Sequence, residues 1–226
     1  MTFVVAIDGP AGAGKSSVAQ NVARRLSMTR LDTGALYRSV TLIVLREGTE
    51  DPVRWAEIAR DLDIRFDRSL VYLANEDVTE TIRSAEVNQH VSRVAADPGV
   101  RRALLQTQRV LARSCSQGAL LEGRDIGTVV FPDADLKVFL TASDEERARR
   151  RWAELPDGTA TIAEVLASIR ARDAYDGGRE HAPLRPAPDA VHIDSTGLTQ
   201  AEVERRIVEL VEAARSEHVG SEPSRQ

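Results

Sequence analysis

The segment Gly9-Pro10-Ala11-Gly12-Ala13-Gly14-Lys15-Ser16 meets the pattern G-x-x-x-x-G-K-[ST], the signature of a loop that wraps the phosphates of a nucleotide. Its glycines let backbone N–H groups point inward, Lys15 can reach the β and γ oxygens, and the Ser16 hydroxyl suits Mg²⁺. Such a loop needs a buried strand before it and a helix after it. The flanks supply both: Phe3 to Ile7 is a short apolar, β-branched run, and Val18, Val22 and Leu26 recur at helical spacing. A flexible Gly/Ala turn would need no lysine and serine at fixed offsets, and the pattern arises by chance in roughly one chain per hundred of this length.

Downstream the chain alternates helical and strand-like segments. Helices are predicted from about Ala35 to Arg46, ending at Gly48, and from Val53 to Asp61. The runs Ile64-Arg65-Phe66 and Leu70-Val71-Tyr72-Leu73, bounded by Asp67-Arg68 and Asn75-Glu76-Asp77, predict a small antiparallel insertion. Helical periodicity returns through Val87, Val91, Val94 and Ala95, pauses at Asp97-Pro98-Gly99 and resumes from Val100 to Ala112. Gly118 to Leu121 and Leu136 to Leu140 read as further core strands. Ser143 to about Arg172 is helical, with a break at Leu155-Pro156-Asp157-Gly158-Thr159, and Asp176 to Pro188 is loop-like. Val191 to Asp194 is a last strand and Thr199 to Ala214 a last helix. Strands alternating with helices predict an α/β fold around a parallel sheet. The expected organisation is a single domain over 1–215, with an insertion at about 62–112, an arginine-laden stretch at about 147–180 and a polar, frayed tail at 216–226.

Net charge is −5, and Lys15 and Lys137 are the only lysines, so anionic ligands must be captured by local arginine clusters rather than by the overall field. Nucleic acid is therefore not expected as a partner. The N-terminal apolar run is too short for a signal or a membrane span. The lone Cys115 excludes an internal disulfide and suits a reducing, cytoplasmic setting. His90, His181, His192 and His218 lack ligand spacing, and Trp55 and Trp152 read as packing residues.

A phosphate loop says only that a nucleoside triphosphate binds. Guanine-reading switches need [NT]-K-x-D, and the remaining lysine lies in Leu136-Lys137-Val138-Phe139; Asp194-Ser195-Thr196-Gly197 fits only a loose switch pattern. Two further clusters point to a phosphoryl acceptor. In Leu31-Asp32-Thr33-Gly34-Ala35-Leu36-Tyr37-Arg38, Asp32 or Thr33 can cap a helix whose first turns carry Arg38, a guanidinium able to grip a second phosphate. Glu122-Gly123-Arg124-Asp125 ends a buried strand, where ligands meet parallel sheets, and Glu122 could hold a Mg²⁺-bound water. Arg172-Asp173-Ala174-Tyr175-Asp176-Gly177-Gly178-Arg179 adds a third charged set. A kinase for another nucleoside monophosphate or a small metabolite, and a nucleotide-binding regulatory protein, stay open on these residues alone.

Taken together, Gly9 to Ser17, Asp32 to Arg38, Gly123-Arg124-Asp125-Ile126-Gly127-Thr128-Val129-Val130-Phe131-Pro132, Arg172-Asp173 with Asp176 and Arg179, and Asp194-Ser195-Thr196 resemble the bacterial cytidylate kinases, in that order. The likeness runs to about Ala214. It implies a nucleoside-monophosphate kinase fold with a five-stranded parallel core, an acceptor-binding insertion at about 62–112 and a lid at about 147–180, transferring phosphate from Mg·ATP to CMP and dCMP; a monomer is expected. By the same likeness Lys15, Arg38, Arg124 and Arg179 carry the catalysis, the last three by holding the CMP phosphate. Arg172 with Asp176 would meet the sugar, Ser92, Arg101 and Asp125 the cytosine edge, and Thr33 and Tyr37 belong to the same CMP site. Ser92 and Arg101 are carried over through the stretch Ser92 to Arg101. Ser17 joins the ATP loop, Ser16 and Glu122 the metal, and Glu122 stands where relatives often have aspartate. Arg147, Arg150 and Arg151, on a helix begun by Ser143-Asp144-Glu145-Glu146, fall in the family's lid and would touch ATP, although a solvated face for one or two of them is the ordinary reading of such a run.

Overall fold

The structure is a computed structural model that describes residues 2–67, 70–156 and 158–220, the side chains of 218–220 excepted. Arg68, Asp157, the His218 side chain and residues 221–226 of the expected tail lie outside the described residues. The chain divides into two compact units, Asp32–Leu111 and the sequence on either side of it.

The flanking unit is built on a five-stranded sheet in the order β2-β6-β1-β7-β8. Its members are β1 (Val4–Asp8), β2 (Thr29–Asp32), β6 (Ala119–Gly123), β7 (Leu136–Thr141) and β8 (Val191–Asp194). β1 pairs in parallel with β6 and β7, and β7 with β8. β1 is central and buried along its whole length, which is why its sequence shows no polar alternation until Asp8. Helices α1 (Lys15–Arg25) and α8 (Gln200–Gly220) send Val18, Val22, Val203, Ile207 and Val211 into one core with Val5, Ile7, Leu120, Val138 and Leu140. α6 (Asp144–Ala153) and α7 (Ile162–Gly177) share a smaller core of Ala148, Val165 and Ile169.

The phosphate loop is tied to β7 by the absence of a side chain. A Cβ on Gly9, whose φ is +149°, would lie 1.9 Å from the Leu140 carbonyl oxygen, so no other residue fits this close approach.

The other unit holds α2 (Thr33–Glu47), α3 (Pro52–Arg60), α4 (Ala85–Ala96) and most of α5 (Pro98–Arg113), together with an antiparallel sheet of β3 (Ile64–Asp67), β4 (Leu70–Leu73) and β5 (Glu76–Asp77). Of the two candidate caps Asp32 is the one used, accepting the Ala35 N–H of α2 at 3.1 Å, and Gly48 ends the helix in the left-handed region, as expected from sequence. Trp55 is core, its indole N–H donating to the Thr49 carbonyl at 3.0 Å.

Two boundaries and the packing of one tryptophan differ from the expectations. α7 continues through Asp176 to Gly177, so Asp176 is a helical residue buried in the last turn rather than part of a loop. α8 runs to Gly220, past the expected Ala214, so residues 216–220 are helical rather than frayed. Trp152 is 48% exposed and does not pack into a core, its indole donating to the Ala160 carbonyl at 2.9 Å.

Candidate active site

Lys15 opens α1 directly after Gly14, whose φ of 88° turns the loop into the helix. Its ammonium donates to the carbonyls of Gly9 and Pro10, each at 2.7 Å, inside the loop that it is expected to complete around a phosphate. Burial, and after it the Arg124 charge, hold Lys15 well below the usual lysine range, while Glu122 and Asp8 oppose them. An anionic phosphate entering the loop would reverse this effect, because it supplies the counter-charge that burial has removed.

Ser16 donates to Oε2 of Glu122 at 2.6 Å. Glu122 stands at the end of β6 beside Ile7 and is 3% exposed. Its other oxygen, Oε1, is held by Arg30 on β2, from Nε at 2.8 Å and also from Nη2, while Nη1 of Arg30 reaches Gln20 on α1 at 3.0 Å. Sequence reasoning missed Arg30. It lies between Thr29 and Leu31 on a strand whose neighbour in the sheet, β6, is distant in the chain, so nothing local marks it.

A second cluster forms around Asp176. Arg124, just past β6, donates Nε to Asp176 Oδ2 at 3.0 Å and Nη1 to the Gly9 carbonyl at 2.9 Å. Arg179 donates to Oδ1, and Arg172 stands one helical turn before Asp176 with its Nε 4.0 Å from Oδ2. Three guanidinia thus surround one carboxylate, and positive charge is in excess. The Arg172 Nε is buried without a hydrogen-bond partner, and burial, followed by the Arg124 charge, pushes Arg172 down from its ordinary range. Arg124 turns to α7, where it pairs with Asp176. Asp125 is 4% exposed and precedes a single turn of π-helix, Ile126–Val130.

The three arginines expected in a lid have three different environments. Arg147 is buried, donating to the Ala11 carbonyl of the phosphate loop at 2.8 Å, to Asp173 at 2.5 Å, to Asp144 at 2.5 Å and to the Ala142 carbonyl at 3.2 Å. Arg150 grips Ser195 through its hydroxyl at 3.0 Å and its carbonyl at 2.9 Å, and Arg151 is exposed against Glu154. In this arrangement Arg147 and Arg150 join α6 to the phosphate loop and to the end of β8.

In the other unit, Arg38 on α2 donates to the Ile82 carbonyl at 3.1 Å and to Asn88 at 2.7 Å, and Arg83 donates to Asp32 at 3.1 Å. Neither Arg83 nor Asn88 was anticipated from sequence. Arg101 donates to the Ala95 carbonyl at 2.9 Å, with its guanidinium 5.4 Å from the centre of the Tyr37 ring. Thr33 is buried and Ser92 half-buried.

A phosphate loop with a buried lysine, a hydroxyl-carboxylate pair beside it and a cationic cluster reaching back to the loop define a nucleotide-dependent kinase with a P-loop core. The family model described as Cytidylate kinase matches residues 5–213. A cytidylate kinase of Caldanaerobacter subterraneus subsp. tengcongensis is 48% identical over 215 residues, 93% of this chain and 95% of the relative. One from Cereibacter sphaeroides is 51% identical over 214 residues, 94% of this chain and 96% of the relative. The chain belongs to the cytidylate kinase family. A crystal structure of an uncharacterized protein from Eubacterium ventriosum superposes with a TM-score of 0.54 at 11% identity, covering 93% of this chain and 98% of that one, and shares the fold alone.

Proposed function

We propose that this enzyme transfers the γ-phosphoryl group of ATP to CMP and dCMP, giving ADP with CDP or dCDP. The observation that carries the reading is the match to the cytidylate kinase family over residues 5–213, with Arg124 linking the phosphate loop to the Asp176 cluster. An oxygen of the acceptor phosphate attacks the γ phosphorus in line, and the bond to the β-bridging oxygen breaks. The residues need only place two phosphates and offset the charge between them. Lys15 and the loop Gly9 to Ser17, through its backbone N–H groups other than at Pro10, hold the donor. Arg124 and Arg179 receive the acceptor phosphate. Asp176 with Arg172 takes the sugar hydroxyls, and Asp125 takes the cytosine.

A divalent cation fits the oxygen donors present, since the Ser16 hydroxyl and a Glu122 oxygen lie 2.6 Å apart and Mg²⁺ binds through one or two protein oxygens plus phosphates and waters. Ser16 would hold it directly and Glu122 through water. The ion supplies charge neutralisation at the β and γ phosphates. Arg30 keeps Glu122 oriented and offsets its charge.

No helix among the described residues is long and apolar enough to cross a membrane. The buried single thiol Cys115 supports a cytoplasmic setting.

The test incubates purified protein with Mg·ATP and CMP, dCMP, UMP, AMP, GMP or TMP in turn, and follows ADP release. Cytosine offers an N4 amino donor where uracil offers an acceptor, so the Asp125 side chain, as an acceptor, should favour CMP over UMP by about tenfold or more in kcat/KM. Preference for AMP, GMP or TMP, or no acceptor-dependent ADP, overturns the proposal.

A further inference from the structure

Asp8 ends β1 one residue before the phosphate loop and is 4% exposed, yet neither nucleotide role assigned above uses it. Its Oδ1 accepts the Ile126 N–H at 2.8 Å and its Oδ2 the Gly127 N–H at 2.7 Å. These two peptide groups open the π-helical turn directly after Arg124 and Asp125. Arg124 in turn donates to the carbonyl of Gly9, the residue after Asp8, at 2.9 Å. The segment Arg124 to Gly127 is therefore held at both ends by consecutive residues at the root of the phosphate loop. A Cβ on Gly127 would lie 3.1 Å from Cδ of Lys137 and 3.5 Å from Oδ2 of Asp8, so the bare backbone approaches the carboxylate closely.

We propose that Asp8 is a positioning residue for the acceptor: its carboxylate fixes the turn that aims Arg124 and Asp125, so that binding of the monophosphate depends on it far more than binding of ATP does. This rests on the reading of Arg124 and Asp125 as acceptor groups. A carboxylate suits the task because both of its oxygens accept, whereas an amide offers one oxygen and turns an NH₂ toward the second N–H. Burial pushes Asp8 up to about 6, against the pull of the Gly127 and Ile126 amides. The charged groups facing it are Asp125 in the turn, which raises it, and Lys15 on α1, which lowers it; the Lys137 stem on β7 lies against Gly127.

The experiment compares steady-state kinetics of full-length Asp8→Asn and Arg124→Ala with the unsubstituted chain, with circular dichroism as the check on folding. For Asp8→Asn the KM for CMP is expected to rise about tenfold while the KM for ATP stays within about twofold, the effect of unmatching one buried donor at the acceptor turn only. A folded Asp8→Asn with an unchanged KM for CMP, or with equal rises for both substrates, overturns the proposal while Arg124→Ala still impairs CMP use. An Arg124→Ala enzyme with normal CMP kinetics removes the acceptor reading and this proposal with it. Should Asp8→Asn not fold, NMR on the unsubstituted chain decides. The Ile126 and Gly127 amides, the Asp125 amide and the Arg124 Nε–H should then shift together with one midpoint near 6, and Arg124 and Asp125 signals that ignore that midpoint refute the idea.

Discussion

Lys15 is buried among carbonyls with its charge opposed by desolvation, which makes it dependent on a phosphate to complete its environment. Lys15→Ala is expected to leave the fold intact and abolish transfer; circular dichroism with a single-turnover assay checks both, and a folded variant with near-normal turnover removes the loop from the mechanism. Arg124→Ala should lose about 2–4 kcal/mol of transition-state stabilisation, the scale of one preorganised charged donor, read from kcat/KM for CMP. Asp176 has two tasks. In the proposed reading it meets a sugar hydroxyl, and in the structure it holds Arg124 and Arg179. Asp176→Ala should therefore lower kcat/KM for dCMP as well as for CMP, because two phosphate-binding guanidinia lose their anchor, and the excess loss on CMP measures any contact with the 2′-OH.

At the scale of elements, α6 and α7 matter most, because together they carry the lid arginines and Asp176. α7 starts with a full capping box, in which Thr161 and Glu164 satisfy each other's backbone N–H groups. Thr161→Ala should cost about 1 kcal/mol in urea unfolding. The stronger tie is Arg147, buried on α6 between Asp144 and Asp173 on α7, with a hydrogen bond to the phosphate-loop carbonyl of Ala11. Arg147→Met keeps the stem but takes the ion pair from Asp173 and leaves Asp144 to Arg170 alone, and should destabilise by about 2 kcal/mol, measurable as a lowered thermal midpoint. Because Arg147 also touches the loop, the KM for ATP is expected to rise in the same variant. The sequence placed these arginines on a helix by their spacing after Ser143, but which of them faces inward depends on how α6 lies against the phosphate loop.

For the molecule as a whole, stability against pH is a sum of opposed carboxylates. Asp144, held low by Arg170 and then Arg147, contributes stability above its ordinary value that is lost as pH falls through its folded pKa. Asp8 has the opposite sign. Its folded pKa of about 6 lies above the ordinary 3.8, so its ionisation costs stability above 6, and that cost fades as pH falls through 6 and is gone below 3.8. The unfolding free energy of the unsubstituted chain minus that of Asp8→Asn is therefore expected to rise by about 1 kcal/mol from about pH 7 to about pH 5. Urea titrations across that window test it, and a flat difference would show that Asp8 ionises as it does in water.

What the sequence by itself determined is what local pattern can encode. The strand, loop and helix around Gly9 to Ser16, a cap at Asp32 or Thr33, the stop at Gly48 and the buried strands β6 and β7 all follow from periodicity, capping chemistry and glycine placement, which act within a few residues. The kinase core was legible because its motifs are contiguous. Only the tertiary structure decided that Asp176 is a buried helical residue facing Arg124, that Arg30 rather than solvent pairs with Glu122, and that Asp8 binds the peptide groups of Ile126 and Gly127. Those partners are separated by 52, 92 and more than a hundred residues along the chain, and the parallel sheet brings them together. A charged side chain reveals its type in the sequence, but its partner is fixed by which strands become neighbours, and that depends on the packing of the whole core.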